Sequence, residues 1–282
     1  MLSSSMVLFQ VIIYLLIGTG VGFMAGLLGI GGGMLQVPLM VFVFTAKNYP
    51  PEHVMHMAIA PAMATIPFTA AASVRAHHQR NNVDWRIVRW MLPGLLAGAA
   101  LGALSTGAIP GRPLAIFFTV FIFFAATNMF FDISPKSRAQ LPGTMGLLSF
   151  GTATGAISSF LAAGAAFITI PFMTWCSVPL KRAIGTAAAI GFPLGVAGTL
   201  GYVWGGWARP GLPAGTIGFI YVPALVLIVI TSMPMAPIGA RVSAALPVRQ
   251  LRRVFGLVLY ALVGRMLYTL RSEEHTSELQ SH

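Results

Sequence analysis

The chain has 282 residues, of which 56% are hydrophobic and 8% charged, with 17 Lys and Arg against 6 Asp and Glu and a net charge of +11. A soluble domain carries roughly 25% charged residues, so a water-soluble enzyme or binding module is excluded, and apolar runs of ~20 residues mark a polytopic membrane protein. The basic residues lie in short loops between these runs, where they set topology; no nucleic-acid partner is expected, and the single Cys176 excludes an internal disulfide or a cysteine metal cluster.

Ten apolar segments are predicted, at residues 6–28, 34–46, 54–73, 87–108, 113–131, 143–161, 165–177, 184–204, 216–233 and 252–270. The first has no basic stretch before it and reads as a retained membrane segment rather than a cleaved leader. It runs into a glycine-rich stretch from Gly18 to Pro38 that contains Gly31, Gly32 and Gly33. The second and seventh segments, of about 13 residues, are too short to cross a core of ~30 Å at 1.5 Å per residue. Each is therefore the return arm of a re-entrant hairpin or a short span at a protein-lined site.

The sixth segment restarts the pattern. Placing Gly18 on Gly151 also places Gly22 on Gly155, Gly31 on Gly164, Gln36 on Thr169 and Pro38 on Pro171. The expected fold is an all-α membrane domain over residues 1–270, with 8 to 10 transmembrane or re-entrant helices in two repeats, about 6–132 and 143–270. Five segments per repeat is an odd number, so the repeats should be inverted. Residues 271–282 are polar and follow an apolar helix abruptly; they look like a translated sequencing adapter, a non-native tail set aside from fold reasoning.

With alternating loops, the basic residues collect on one side, in loops near 74–89, 133–142, 177–183 and 234–253, while Lys47, Arg112 and Arg209 fall on the other. The rich side should be cytoplasmic. Both termini then lie outside.

Consecutive glycines are poor helix formers, and a broken backbone in hydrocarbon costs several kcal/mol unless it lines a site. A short helix starting at Met34 would aim its amides and positive dipole end at the break, and one starting near Ala165 would do so from the other side. Two such N-termini would hold one small anion without a buried cation. Gly18, Gly22 and Gly26 suit close helix packing instead. The candidate substrate contacts are Gly31, Gly32, Gly33, Met34 and Gln36 in the first copy and Gly164, Ala165 and Thr169 in the second. Thr186 and Asn128 are added as polar groups within apolar runs.

Glu52 and Asp132 stand at segment edges and Asp84 in a loop, so the carboxylate relay of many pumps is missing. His53 and His56 beside Glu52 lack a third ligand, and no metal or cofactor is expected. Without a Walker A sequence or HExxH, nothing points to ATP-driven transport or to an enzyme.

The stretch GVGFMAGLLGIGGGMLQVPLM, the loop HHQRNNVDW, the run AIGTAAAIGFPLGVAGTLGY and the closing LPVRQLRRVFGLVLYAL resemble the sulfite exporter TauE/SafE family over about residues 8–270. The resemblance implies a bacterial inner-membrane permease that exports sulfite, sulfoacetate or a related organosulfur anion. It carries the family's glycine and proline positions onto Gly29, Gly31, Gly32, Gly33 and Pro38, with Gly164 and Pro171 as counterparts. The second copy departs from the pattern, with Ala162, Ala163, Ala165 and Ala166 around Gly164. Ala60 and Pro61 stand where the family commonly has a Thr-Ser pair, and Thr186 and Ala187 hold the equivalent place in the second half. Two other readings stand beside the exporter: a carrier of another small anion such as a carboxylate, and a membrane scaffold without a transport cycle. A homodimer is compatible with all three.

Overall fold

The computed structural model describes residues 4–28, 32–131, 139–162, 164–245 and 248–280. They form ten helices: α1 Ser4–Leu28, α2 Gly33–Ala46, α3 Pro51–Gln79, α4 Trp85–Thr106, α5 Gly111–Phe130, α6 Thr144–Leu161, α7 Ala166–Trp175, α8 Leu180–Gly205, α9 Val222–Ala245 and α10 Val248–Gln280. Seven of them contain stretches long and apolar enough to cross a membrane, whereas α2 and α7 are short apolar helices. Large apolar side chains such as Leu8, Leu16, Phe123, Phe124 and Leu200 face outward, as lipid contact demands. The architecture is that of an all-α polytopic membrane protein.

Most predicted segments sit where hydropathy places them; the boundaries move for local reasons. α3 starts three residues early because Pro50 and Pro51 stand before and at its first turn, where a missing N–H costs nothing. It also continues through Pro61 and Pro67, and the Thr65 hydroxyl donates to the Pro61 carbonyl at 2.8 Å. The segment predicted at 216–233 is corrected: its first six residues form a two-stranded hairpin, β1 Thr216–Ile217 and β2 Ile220–Tyr221, and the helix begins at Val222. The hairpin turns at Gly218, whose φ of +57° suits glycine. α10 runs on to Gln280, so the expected tail is continuous with the last helix.

Five helix pairs build the body, α4 with α8 among them. α1 packs on α9 and α6 packs on α4, each pair parallel and in close backbone contact. Gly18, Gly22 and Gly26 of α1 lie against the backbone at Ile228, Ser232 and Ala236. Gly151 and Gly155 of α6 lie likewise against Met91 and Leu95 of α4. Small residues let helix backbones approach where no hydrophobic effect drives them together. α3 packs on α8 and α5 on α10, both antiparallel: Met63 meets Gly198 while Ile66 meets Gly195, and Thr119 meets Met266 while Thr127 meets Tyr260. Shifting every helix by five places turns α1/α9 into α6/α4 and returns α3/α8 and α5/α10 to themselves.

The short helices are return arms. Gly32, just before α2, touches Val21, about two-thirds of the way along α1, and Lys47, just after α2, donates to the Tyr14 hydroxyl nearer the start of α1. The chain thus enters and leaves at one end of the bundle. α7 finishes beside residue 139, where the Ala139 amide donates to the Trp175 carbonyl, so the α6–α7 hairpin enters and leaves at the other end.

The two ends differ in charge. Arg75, Arg80, Arg86, Arg89, Lys181, Arg182, Arg241, Arg252 and Arg253 belong to one end, and Lys47, Arg112, Arg209 and Arg271 to the other. Lys136, Arg138 and Asp132 lie outside the described residues. The sparse end is knitted together by side chains on backbone. His56 Nε2 donates to the Thr106 and Ile109 carbonyls at 2.9 and 3.1 Å, and His53 Nε2 lies 3.1 Å from the Pro210 carbonyl. These histidines join the α3, α4–α5 and α8–α9 segments. Among the described residues, no group of three His, Cys, Asp or Glu is arranged to hold a metal.

Candidate functional site

Both return arms begin in the protein interior. α2 opens at Gly33 after Gly32 and α7 at Ala166 after Ala165, and neither start carries a side-chain cap. The first bonds within these helices run from the Leu35 and Gln36 amides to the Gly32 carbonyl, and from the Ile168 and Thr169 amides to the Ala165 carbonyl. The amides ahead of them, those of Gly33 and Met34 and of Ala166 and Phe167, have no acceptor in their own helix. Gly33, Met34, Ala165 and Ala166 are buried. Two positive dipole ends are thereby presented inside the bundle, worth roughly 0.3–1 kcal/mol each to an anion at an exposed site and up to ~2 kcal/mol when partly buried.

The two breaks touch. α6 ends on Ala162 in a left-handed conformation (φ 44°, ψ 25°), and Gly164 follows with φ 67°. The Ala162 carbonyl is seated against the α-carbon of Gly33, in the space that any β-carbon there would fill. Gly32 is pressed in the same way on Val21.

Gln36, one turn into α2, is fully buried. Its Nε2 donates to Thr65 Oγ1 at 3.3 Å, while its Oε1 is buried without a partner. Thr65 spends its own proton on Pro61, which leaves Gln36 Oε1 facing the interior as an acceptor. Thr169, at the corresponding place in α7, is equally buried but donates to the Ala165 carbonyl at 2.8 Å. The copies are therefore chemically unequal: one offers a spare amide oxygen, and the other has its hydroxyl bound to its own helix.

The remaining candidates are scattered. Gly31 and Gly29 lie outside the described residues. Asn128 is half-buried near the end of α5, in the turn that packs on Gly256 and Tyr260 of α10. Thr186 lies near the start of α8, where its hydroxyl accepts the Asp84 amide at 2.9 Å. Asp84 in turn caps α4 by accepting from the Arg86 and Ile87 amides. Thr186→Val should thus cost about 1 kcal/mol, read as a lower melting midpoint of the detergent-solubilised protein, with transport unchanged.

Some interior groups escaped selection. The Ser158 and Thr154 hydroxyls on α6 are buried without a partner, one and two turns before the break. Tyr202 of α8, fully buried, donates to the Ser159 carbonyl at 2.9 Å. The Ser158-Ser159 pair just ahead of an alanine-glycine run was the available signal. Nothing in the sequence marks Tyr202.

The model of the family described as sulfite exporter TauE/SafE matches residues 14–266. The chain belongs to the TauE/SafE family. A relative from Haemophilus influenzae is 32% identical over 261 residues, covering 91% of this chain and 97% of the relative. One from Xylella fastidiosa is 29% identical over 257 residues, covering 87% and 91%. One from Methanocaldococcus jannaschii is 22% identical over 258 residues, with the same coverage of 87% and 91%. Each is named a probable membrane transporter protein. No solved structure matches the chain. This TauE/SafE chain is a multi-pass membrane transporter. In the second copy Ala162 has a left-handed backbone, a conformation that costs a residue with a β-carbon about 1–2 kcal/mol.

Proposed function

We propose that the chain is an inner-membrane secondary transporter for a small oxyanion, sulfite or an organosulfonate, exported by alternating access between two inverted repeats. The observation that carries this reading is the contact of the uncapped start of α2 with the end of α6, Gly33 on Ala162, four residues ahead of the uncapped start of α7. Oriented amides and dipole ends suit a compact anion, and among the described residues no carboxylate is recorded in contact with them to repel it. The antiparallel pairing of α3 with α8 and of α5 with α10 supports the inversion, since helices related by a two-fold axis in the membrane plane run in opposite directions. The charge difference between the ends supports a cytoplasmic basic end. A scaffold would have no use for two broken helices whose freed backbone costs several kcal/mol. Sulfite as the substrate follows from the family's description.

The test is efflux of radiolabelled sulfite from vesicles carrying the wild type or Gly164→Val. The Gly164 φ of 67° strains any side chain. The variant should lose at least about tenfold in flux, the equivalent of 1.4 kcal/mol. Unchanged flux in a folded variant would remove the break from the transport path. Efficient competition by a simple carboxylate, with none by organosulfonates, would reassign the substrate.

A further inference from the structure

Lys47 stands just past the end of α2, at the sparse end of the bundle, half-buried among three tyrosines from three parts of the chain. Its ammonium lies 5.4 Å from the ring centre of Tyr14 on α1, 5.4 Å from that of Tyr49 in its own loop and 5.1 Å from that of Tyr221 on β2. It donates to the Tyr14 hydroxyl at 3.1 Å and to the Tyr49 hydroxyl at 3.5 Å. The rings hold one another: Tyr14 and Tyr49 each pack on Tyr221, at 6.3 and 6.1 Å. Every group touching the cation is neutral. The partners described for the Lys47 ammonium are these tyrosines, with no carboxylate among them. Burial lowers the Lys47 pKa below the ordinary lysine value and raises that of Tyr49, a second effect on Tyr49 being its hydrogen bond with Tyr221.

A half-buried ammonium with no counter-charge among its described partners, ringed by phenols whose protons are not spent on it, is chemically incomplete. We propose that Lys47, Tyr14 and Tyr49 form a second oxyanion site at the sparse end of the α1–α2 hairpin, separate from the helix breaks. The ammonium supplies charge and the Tyr14 hydroxyl a donor to the anion's oxygens, while Tyr49, hydrogen-bonded to Tyr221, can turn its proton to the anion only by giving up that bond, and the Tyr221 ring keeps the ammonium in place. The same hairpin carries Gly33 at its inner end, so an anion would meet this site on its way to or from the break. The choice of oxyanion rests on the proposed function; the existence of the site does not.

The sequence contains three lysines, Lys47, Lys136 and Lys181, so replacing Lys136 and Lys181 by arginine leaves one side-chain amine. The rate of trace acetylation of Lys47 in the detergent-solubilised full chain, followed by mass spectrometry against pH, reads its titration directly. An opposite charge within 4–6 Å favours the protonated amine. Sodium sulfate should therefore raise the midpoint by about 1 unit and slow acetylation at fixed pH, relative to sodium chloride at equal ionic strength. Tyr14→Phe with Tyr49→Phe, which keeps the rings and removes the donors, should abolish most of that difference. Equal midpoints in sulfate and chloride would overturn the site, as would a sulfate effect untouched by the double phenylalanine variant. Because this is an equilibrium reading, failure here with normal sulfite flux condemns the second site alone. A sulfate effect without flux condemns the proposed function alone.

Discussion

Gly33→Ala should reduce sulfite flux by between about fivefold and a hundredfold, although it adds one methyl group. The β-carbon would fall on the Ala162 carbonyl oxygen, which is backbone and has no rotamer through which to retreat. Overpacking of this kind costs about 1–3 kcal/mol, and each 1.36 kcal/mol on a rate-limiting step is tenfold. The strain falls on the arrangement in which the two breaks touch, so the variant should reach the membrane in normal amounts and fail in turnover. Flux in vesicles, alongside the melting midpoint of the purified protein, checks this. Normal flux in a folded Gly33→Ala protein would mean that the contact plays no part in the cycle.

Gly22→Leu should act on stability instead, by about 3 kcal/mol or more, at the upper end of what overpacking costs. Its side chain would enter the space held by the backbone of Ser232 on α9, and α1 packs on α9 along its length. A loss of that size is a large fraction of the 5–15 kcal/mol that holds a typical domain together. The variant should accumulate poorly and melt early. Gly20→Leu is the control: nothing lies within 4 Å of a β-carbon there, so the same change two residues away on the same helix should be tolerated. If both variants behave alike, the crossing is not held by close backbone contact.

The helices were legible in the sequence because hydrocarbon imposes a length and an apolarity on each. The hairpin at 216–221 was not, since Thr216, Ile217, Phe219, Ile220 and Tyr221 are as apolar as a span. Only the turn at Gly218 distinguishes them. The breaks were legible from Gly32, Gly33 and Gly164, because glycine clusters in membrane helices need a reason. That the breaks touch was not legible, nor was the left-handed alanine at 162, because an alanine codes for helix and only packing forces it elsewhere. Thr186 looked like a ligand because it is polar inside an apolar run. Its partner is a backbone amide at Asp84, 102 residues away in sequence, and nothing local announces such a bond. The cage around Lys47 was hidden for the same reason, since Tyr14, Tyr49 and Tyr221 come together only in the fold.

The two return arms differ in length, 14 residues in α2 and 10 in α7. At 1.5 Å per residue they extend about 21 Å and 15 Å from the break to their respective ends. For an anion held at the break, the transmembrane field is thereby divided unequally. Approach from the sparse end crosses about three-fifths of the potential drop and approach from the basic end about two-fifths. At 2.3 kcal/mol per elementary charge per 100 mV, these correspond to about 1.4 and 0.9 kcal/mol. A transporter with unequal arms is thus electrically lopsided: voltage acts more strongly on occupancy from the sparse end than from the basic end, with no gating charge on the protein itself.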